Sequence, residues 1–306
     1  MNNLKTKITW HLNDYCRSEC SYCPVQLRGG SLPPETKDYL RVANLIIDAY
    51  ISMGRTISWN FNGGEPLDMN DIVTLLKLCR TNGEHMELTT NGGKLWMDWW
   101  AIEPYVDKLN LTYHYWQNPA LIKYIVDTFQ KNKKQFHVTV PIRPDHFEED
   151  MKRATDAEEA SGISVGKAVL YKNADKAGGM FKYTNEQLMI MSGIKPKPPA
   201  PKPTVTPPLA PPPPLVKEKI EFETKTWDQR YTDIYDRNPS YTGQMCNVGI
   251  EYLIISHQGW VSGSECNNQP LGNVWHDGWM PPSSPQQCSM KSCIYPNDQK
   301  ITKFTP

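Results

Sequence analysis

The sequence LKTKITWHL at residues 4–12 leads, after three residues, into CRSECSYC at residues 16–23. The first segment alternates polar and apolar residues and carries Ile8, Thr9 and Trp10, which predicts a strand. The second spaces Cys16, Cys20 and Cys23 as C-x3-C-x2-C, and polar Arg17, Ser18 and Glu19 make it a loop rather than a core segment. Such a loop can place three thiolates around one cubane iron–sulfur cluster and leave the fourth iron without a protein ligand. An open iron is what substrate coordination needs. Structural zinc sites close with four ligands; here His11 or Asp14 would have to complete the set.

The same alternation of strand and helix continues outward. Strands are predicted at 56–62, 86–90, 108–115, 135–142 and 164–171, and helices at 34–52, 71–80, 96–105, 120–131 and 146–160. Six β-then-α units imply parallel strands with right-handed crossovers, hence an α/β fold: a partial (β/α)6 barrel of parallel strands. Between Pro196 and Pro214, eleven of nineteen residues are proline, which predicts an extended polyproline spacer and no packed element. Three units follow: a core barrel at 1–194, a proline-rich linker at 195–216, and a small cysteine-rich, hairpin-containing domain at 217–306.

Charge and composition narrow the function classes. The 306 residues carry 33 basic and 33 acidic side chains, so nothing draws the chain to nucleic acid or an anionic membrane at long range. No apolar run has the length of a membrane span, and the first fifteen residues lack a signal-peptide core, so a cytoplasmic protein is expected. Eight cysteines fall as three near the start, four in the last sixty residues, and Cys79 alone on a predicted helix among Leu75, Leu76 and Leu78. Cys79 reads as a core thiol. The two clusters point to metal in a reducing compartment.

With Tyr22 directly before Cys23, the cysteine loop resembles that of the radical S-adenosylmethionine superfamily. Asn62-Gly63-Gly64-Glu65-Pro66 after the second strand is similar to the GGEP motif of that family, and Thr89-Thr90-Asn91-Gly92 to its TNG segment. The two glycines let the backbone approach a ligand closely. The resemblance implies a [4Fe-4S] cluster on Cys16, Cys20 and Cys23 whose open iron chelates S-adenosylmethionine. Reduction would then release a 5′-deoxyadenosyl radical. It also implies cofactor contacts from Tyr22, Gly63, Gly64, Glu65, Pro66, Asn91, Thr112, His114, Arg143 and Tyr171. Arg143 is the candidate for a bidentate grip on the methionine carboxylate. His114 reads equally as a satisfied histidine at a strand end, and Arg143 as a solvent-facing one. All these segments end predicted strands, and in a parallel barrel such loops share one face, where sites are built.

In the tail, Cys246 and Cys266 flank a predicted hairpin, with strands at 252–255 and 260–262 and a turn at His257-Gln258-Gly259. With Cys288 and Cys293 they supply four thiolates, enough for one cubane or one zinc. The region resembles the twitch or SPASM auxiliary-cluster region of radical S-adenosylmethionine enzymes, in its shorter form. Six residues separate Gly259 from Cys266, where that family has four.

The expected function is reductive cleavage of S-adenosylmethionine and radical modification of a second substrate. Net oxidation of a peptide or protein side chain through an auxiliary [4Fe-4S] cluster is favoured, since a fully ligated cluster suits electron transfer. A small molecule or nucleotide is the alternative substrate, and a non-catalytic zinc-bearing scaffold the alternative class. The Lys-Phe-Thr-Pro ending disfavours the molybdenum-cofactor cyclase. With the first strand at the start of the sequence no peptide-recognition domain is expected ahead of it, which weighs against a ribosomal-peptide substrate unless a separate protein supplies recognition. A flavodoxin or ferredoxin is the expected reductant, with no membrane and no nucleic acid as partner. His257, His276 and Asp277 are polar tail candidates without an assigned role, and Trp10, Trp59 and Tyr115 either line or fill the barrel.

Overall fold

Alternate residues of successive strands pack apolar side chains against a shell of helices, and this one-sided pattern sets the architecture. The computed structural model describes residues 4–18, 20–23, 30, 34–93, 99–171, 179–193, 240–266, 270–291, 293 and 295–306. Strands β1 (Leu4–His11), β2 (Arg55–Asn62), β3 (His85–Thr90), β4 (Lys108–Thr112), β5 (Gln135–Ile142) and β6 (Gly166–Val169) lie side by side in sequence order. All five pairings are parallel. Helices α1 (Thr36–Ser52), α2 (Ile72–Thr81), α3 (Trp99–Ile102), α4 (Pro119–Lys131) and α5 (Phe147–Ser161) form the crossovers. This is the expected partial barrel.

Strand and helix limits differ from the sequence expectation by a few residues. Of the third expected helix, the described part is one turn of α3 followed by a 3-10 turn at Glu103–Tyr105, where Pro104 has no amide hydrogen to continue the α-helix. A helix not anticipated, α6 (Asn185–Met191), starts at a capping box in which Thr184 and Gln187 exchange hydrogen bonds.

The core lies between sheet and helices. Trp10, Trp59, Trp99, Tyr39, Tyr50 and Phe61 are its largest fully buried side chains, and Cys79 belongs to it. Trp10 and Trp59 therefore fill the convex side rather than line the barrel. The other face of the strands is polar: Lys7, Thr9, His11, Ser58, Asn60, Asn62, Glu87, Thr89, Lys108, Asn110, Thr112, His137 and Thr139 occupy its alternate positions. Parallel sheets usually bury both faces in apolar side chains. A concave face of this composition is built to be wet or to meet a polar ligand.

The tail hairpin, β8 (Tyr252–Ile255) and β9 (Trp260–Ser262), joins the main sheet. β8 pairs in parallel with β1, from Lys7↔Tyr252 to Trp10↔Ile255, and β10 (Pro270–Asn273) pairs with β9, so one sheet has nine strands. The side chain of Thr6 donates to Ile250 O at 2.7 Å, and Tyr50 donates to Gly249 O. Trp275 meets Tyr39 edge-on at 5.3 Å. The first strand of an open sheet exposes an unpaired edge, and β8 covers it. A second sheet of β7 (Met245–Cys246), β11 (Gln286–Gln287) and β12 (Lys303–Phe304) closes over Cys246, Val248, Tyr252, Cys288 and Ile301. The proline-rich segment and the boundary set at 195–216 lie outside the described residues.

Candidate active site

The cysteine loop leaves β1 and is held by the turn after β2. Leu12 N donates to Asn62 O at 2.8 Å, Gly64 N to Asn13 O at 2.6 Å and Glu65 N to Tyr15 O at 2.8 Å. Asn13 Nδ2 returns a bond to Glu65 O at 3.1 Å. The glycines are required here by the chain itself. A Cβ on Gly63, whose φ is +136°, would lie 2.5 Å from Asn13 O, and one on Gly64 would lie 2.3 Å from Tyr15 O. The close approach expected of a ligand is thus made first by the loop backbone. The carbonyls of Gly63 and Gly64 accept no hydrogen bond among the described residues.

Glu65 is buried and ties three segments together. Its carboxylate accepts from Thr90 Oγ1 at 2.5 Å, Asn91 N at 2.7 Å and Leu67 N at 2.8 Å. Burial pushes its pKa up to about 7 against the pull of these donors. Pro66 opens the 3-10 turn that this carboxylate caps. Two residues on, Asp68 takes the Arg17 backbone N at 3.1 Å and its Nε at 2.6 Å.

Donors meet the sulfurs from two later strand ends. Asn91 Nδ2, just past β3, lies 3.5 Å from Cys16 Sγ and 3.4 Å from Ser18 Oγ. Trp116 Nε1, beyond β4, lies 3.4 Å from Cys20 Sγ. Tyr22, His114 and Trp116 stack in a row, with centroids 5.9 and 5.6 Å apart and planes within 17° and 6°. His114 Nδ1 meets the Tyr22 hydroxyl at 2.5 Å. Burial lowers the His114 pKa to about 4, so the ring is neutral at pH 7, and burial raises that of Tyr22. Burial also raises the Cys16 thiol, with Ser18 donors opposing.

A cavity of about 290 Å³ opens beside this arrangement, lined by Arg17, Ser18, Glu65, Asp68, Asn91, Gly93 and Trp116. Of the expected contacts, Glu65 and Asn91 line it; Arg143, Thr112 and Tyr171 are not among the lining residues. Arg143 presents its fork to Asp150, with Nε–Oδ2 and Nη2–Oδ1 both 2.8 Å, and lies 4.2 Å over the Tyr115 ring. Its bidentate face is therefore engaged inside the protein. Thr112 ends β4 on the concave face, and Tyr171 pairs with Met180 beyond β6. Arg17, Ser18, Asp68, Trp116 and Gln117 were not singled out in the sequence. Gln117 donates to Asn91 O and accepts from His114 N at 2.6 Å, which joins the β3 and β4 ends. Only their adjacency to the motifs marked them.

In the tail, Cys246 sits on β7, Cys288 follows β11, and both are buried with Cys293. Burial pushes Cys246 up to about 11, with Cys288 and Cys293 adding to it and Lys303 opposing. Cys266 approaches Ser264 Oγ at 2.8 Å, and its backbone N donates to Asp298 Oδ2 at 2.7 Å. His257 in the hairpin turn lies 3.4 Å from Asp14 of the first cysteine loop, so the tail touches that loop.

Among the described residues, no three His, Cys, Asp or Glu side chains gather closely enough to hold a single metal ion. A cubane spreads its thiolates over separate irons and asks for wider spacing than zinc does. N–H donors directed at Cys16 and Cys20 suit thiolates that carry cluster charge. The first site fits an iron–sulfur cluster on that ground.

SuiB of Streptococcus suis superposes with a TM-score of 0.50 at 16% identity, over 90% of this chain and 65% of SuiB. SuiB bound to its precursor peptide SuiA gives 0.50 and 16%, over 90% of this chain and 63% of that one. Native anSMEcpe with bound AdoMet and Cp18Cys peptide gives 0.47 and 12%, over 90% of this chain and 78% of that one. The chain has the radical S-adenosylmethionine fold. It spans less than two thirds of the length of SuiB. No protein-family model and no curated protein matches the sequence. Within the radical S-adenosylmethionine fold the cysteine loop, the glycine turn and the Asn91 turn follow β1, β2 and β3 in order. No helix among the described residues is long and apolar enough to cross a membrane.

Proposed function

We propose that this chain reductively cleaves S-adenosylmethionine and modifies a peptide or protein side chain with the radical so formed. The observation that carries this reading is the pair of N–H donors on Cys16 and Cys20 at the rim of a polar cavity. When bound on Cys16, Cys20 and Cys23, a [4Fe-4S] cluster supplies the electron that splits the sulfonium and frees a 5′-deoxyadenosyl radical to take a substrate hydrogen.

The protein's own residues do the rest. Asn91 and Trp116 hold two thiolates in place and stabilise their negative charge. The unpaired carbonyls of Gly63 and Gly64 are acceptors for an ammonium, the role of the methionine amino group. Arg17 lines the cavity with its Nε on Asp68, and its remaining N–H groups are assigned the carboxylate role first given to Arg143, whose Nε and Nη2 are both engaged by Asp150. The Tyr22–His114–Trp116 stack walls the loop on one side, and the neutral His114 adds no charge there. Cys246, Cys266, Cys288 and Cys293 would hold a second [4Fe-4S] cluster, which would supply an electron acceptor for a net oxidation. A flavodoxin or ferredoxin is the assigned reductant. SuiB, which shares the fold, was crystallised with a precursor peptide, and that supports a peptide substrate.

The test is 5′-deoxyadenosine release by the anaerobically reconstituted full chain given S-adenosylmethionine and dithionite, beside a Cys16→Ala, Cys20→Ala, Cys23→Ala variant. Product from the wild type alone supports the reading. An iron-loaded wild type that releases none overturns it.

A further inference from the structure

The concave face holds a second cavity, of about 300 Å³, toward the start of the strands and away from the cysteine loop. Lys7, Ser58, Asn60, His85 and Glu87 line it. They are neighbours by register: Lys7↔Ser58 and Ser58↔His85 in one row, Asn60↔Glu87 in the next. The polar groups here are mostly matched. Glu87 is bound by Lys108 at 2.7 Å and by Asn110 at 2.6 Å. Lys5 pairs with Glu84 at 2.5 Å. Glu251 accepts from Asn247 and from Thr302 N, both at 2.7 Å.

Lys7 and Asn60 are left over on this face, and Trp59 Nε1, on the opposite face of β2, is also without a partner. The Lys7 ammonium makes no hydrogen bond or ion pair among the described residues; it acts on Glu87 only through its charge, behind Lys108 and Asn110, and stands 5.7 Å over the Tyr252 ring. Asn60 Oδ1 is buried and has no donor. Native proteins leave few buried polar atoms unpaired, so each such atom asks for a partner. A free cation beside a free acceptor, in one polar cavity, matches a ligand with an anionic end and a nearby N–H. We propose that this cavity seats a carboxylate of the second substrate on Lys7, with an adjacent amide N–H donated to Asn60 Oδ1.

The inference rests on the reading of the chain as a radical enzyme acting on a peptide, and it specifies that peptide. Lys7 lies four residues before His11, which is about 13 Å along an extended strand. A peptide anchored at Lys7 would reach the rim near the cysteine loop with its residues roughly three to four positions away. The carboxylate is an acidic side chain or a chain terminus, at that distance from the modified residue.

Three probes separate these sources: acetyl-Gly-Gly-Gly-Glu amide, its Gln counterpart, and acetyl-Gly-Gly-Gly-Gly as the free acid. Binding to the reconstituted full chain is read by saturation-transfer NMR and needs no turnover. The Glu probe or the free acid is expected to bind at least tenfold more tightly than the Gln probe. Lys7→Met should erase that preference, Lys7→Arg should keep it, and Asn60→Ala should weaken the preferred probe severalfold. Thermal melts confirm that each variant is folded; if Lys7→Met does not fold, the Glu-to-Gln ratio in the wild type and Lys7→Arg decides. Equal binding of all three probes, no binding of any, or a preference that survives Lys7→Met overturns the proposal. Because no S-adenosylmethionine is consumed, a failed cleavage assay beside an intact carboxylate preference sinks the catalytic reading alone.

Discussion

The indole N–H of Trp116 points at the sulfur of Cys20 from 3.4 Å, across 96 residues of chain. A donor on a cluster thiolate stabilises the more negative, reduced state and so raises the reduction potential. Trp116→Phe keeps the ring and removes the donor. The potential of the reconstituted cluster should then fall by on the order of 40 mV, the one-electron equivalent of a hydrogen bond of about 1 kcal/mol. An EPR-monitored redox titration measures it, and an unchanged potential would show that the indole does not reach the sulfur.

Gly64→Ala addresses the glycine turn. The new methyl would stand 2.3 Å from Tyr15 O, a backbone atom that cannot rotate away. The cysteine loop must shift, at a cost of about 1–3 kcal/mol for the overpacking. Iron bound per chain after reconstitution should drop well below wild type while far-ultraviolet circular dichroism is preserved. Full iron loading would contradict the close approach.

Asp150 carries a pH prediction. Burial raises its pKa, but the Arg143 hydrogen bonds and the charges of Arg143 and Arg153 outweigh this and leave it below the usual carboxylate value. A depressed folded pKa means stability that is present above the unfolded value of about 3.9 and lost as pH falls through the folded one. Asp150→Asn should destabilise the chain at pH 7 by about 3 kcal/mol, because it removes the near carboxylate of the largely buried Arg143 and leaves it the exposed Glu149 at 3.9 Å. It should also flatten the acid limb below about pH 4. Urea unfolding at pH 7 and pH 3 checks both, and parallel stability curves for the two proteins would refute the claim.

Trp275 tests the nine-stranded sheet. It packs edge-on against Tyr39 and lies 6.4 Å from Trp10, both on the convex side of the barrel. Trp275→Ala should cost about 2–3 kcal/mol and lower hydrogen-exchange protection in β1 together with β8. Loss of protection in β8 alone would mean that the hairpin is not part of the barrel's cooperative unit.

Much of this protein could be read along the chain. The alternation in LKTKITWHL, the apolar spacing of α1 and α2, and the glycine and cysteine motifs after β1 and β2 are local patterns. Local patterns dictate strand, helix and turn without knowledge of distant partners. The order of these elements then implied parallel strands with every motif at one end, and the observed pairing of β1 to β6 follows it. Tertiary structure decided what depends on contacts between remote segments. β8 joins β1 across some 240 residues, because an exposed strand edge will pair with whatever strand is delivered to it. The fork of Arg143 turned inward to Asp150, since α5 brings a carboxylate to 2.8 Å from two of its nitrogens. Gly63 and Gly64 are small for the Asn13–Tyr15 backbone that crosses them. The free charge of Lys7 emerged only once every neighbouring carboxylate was seen to have a nearer partner. Sequence determines which groups are available; packing determines which of them are left unsatisfied, and those are the groups that remain for a ligand.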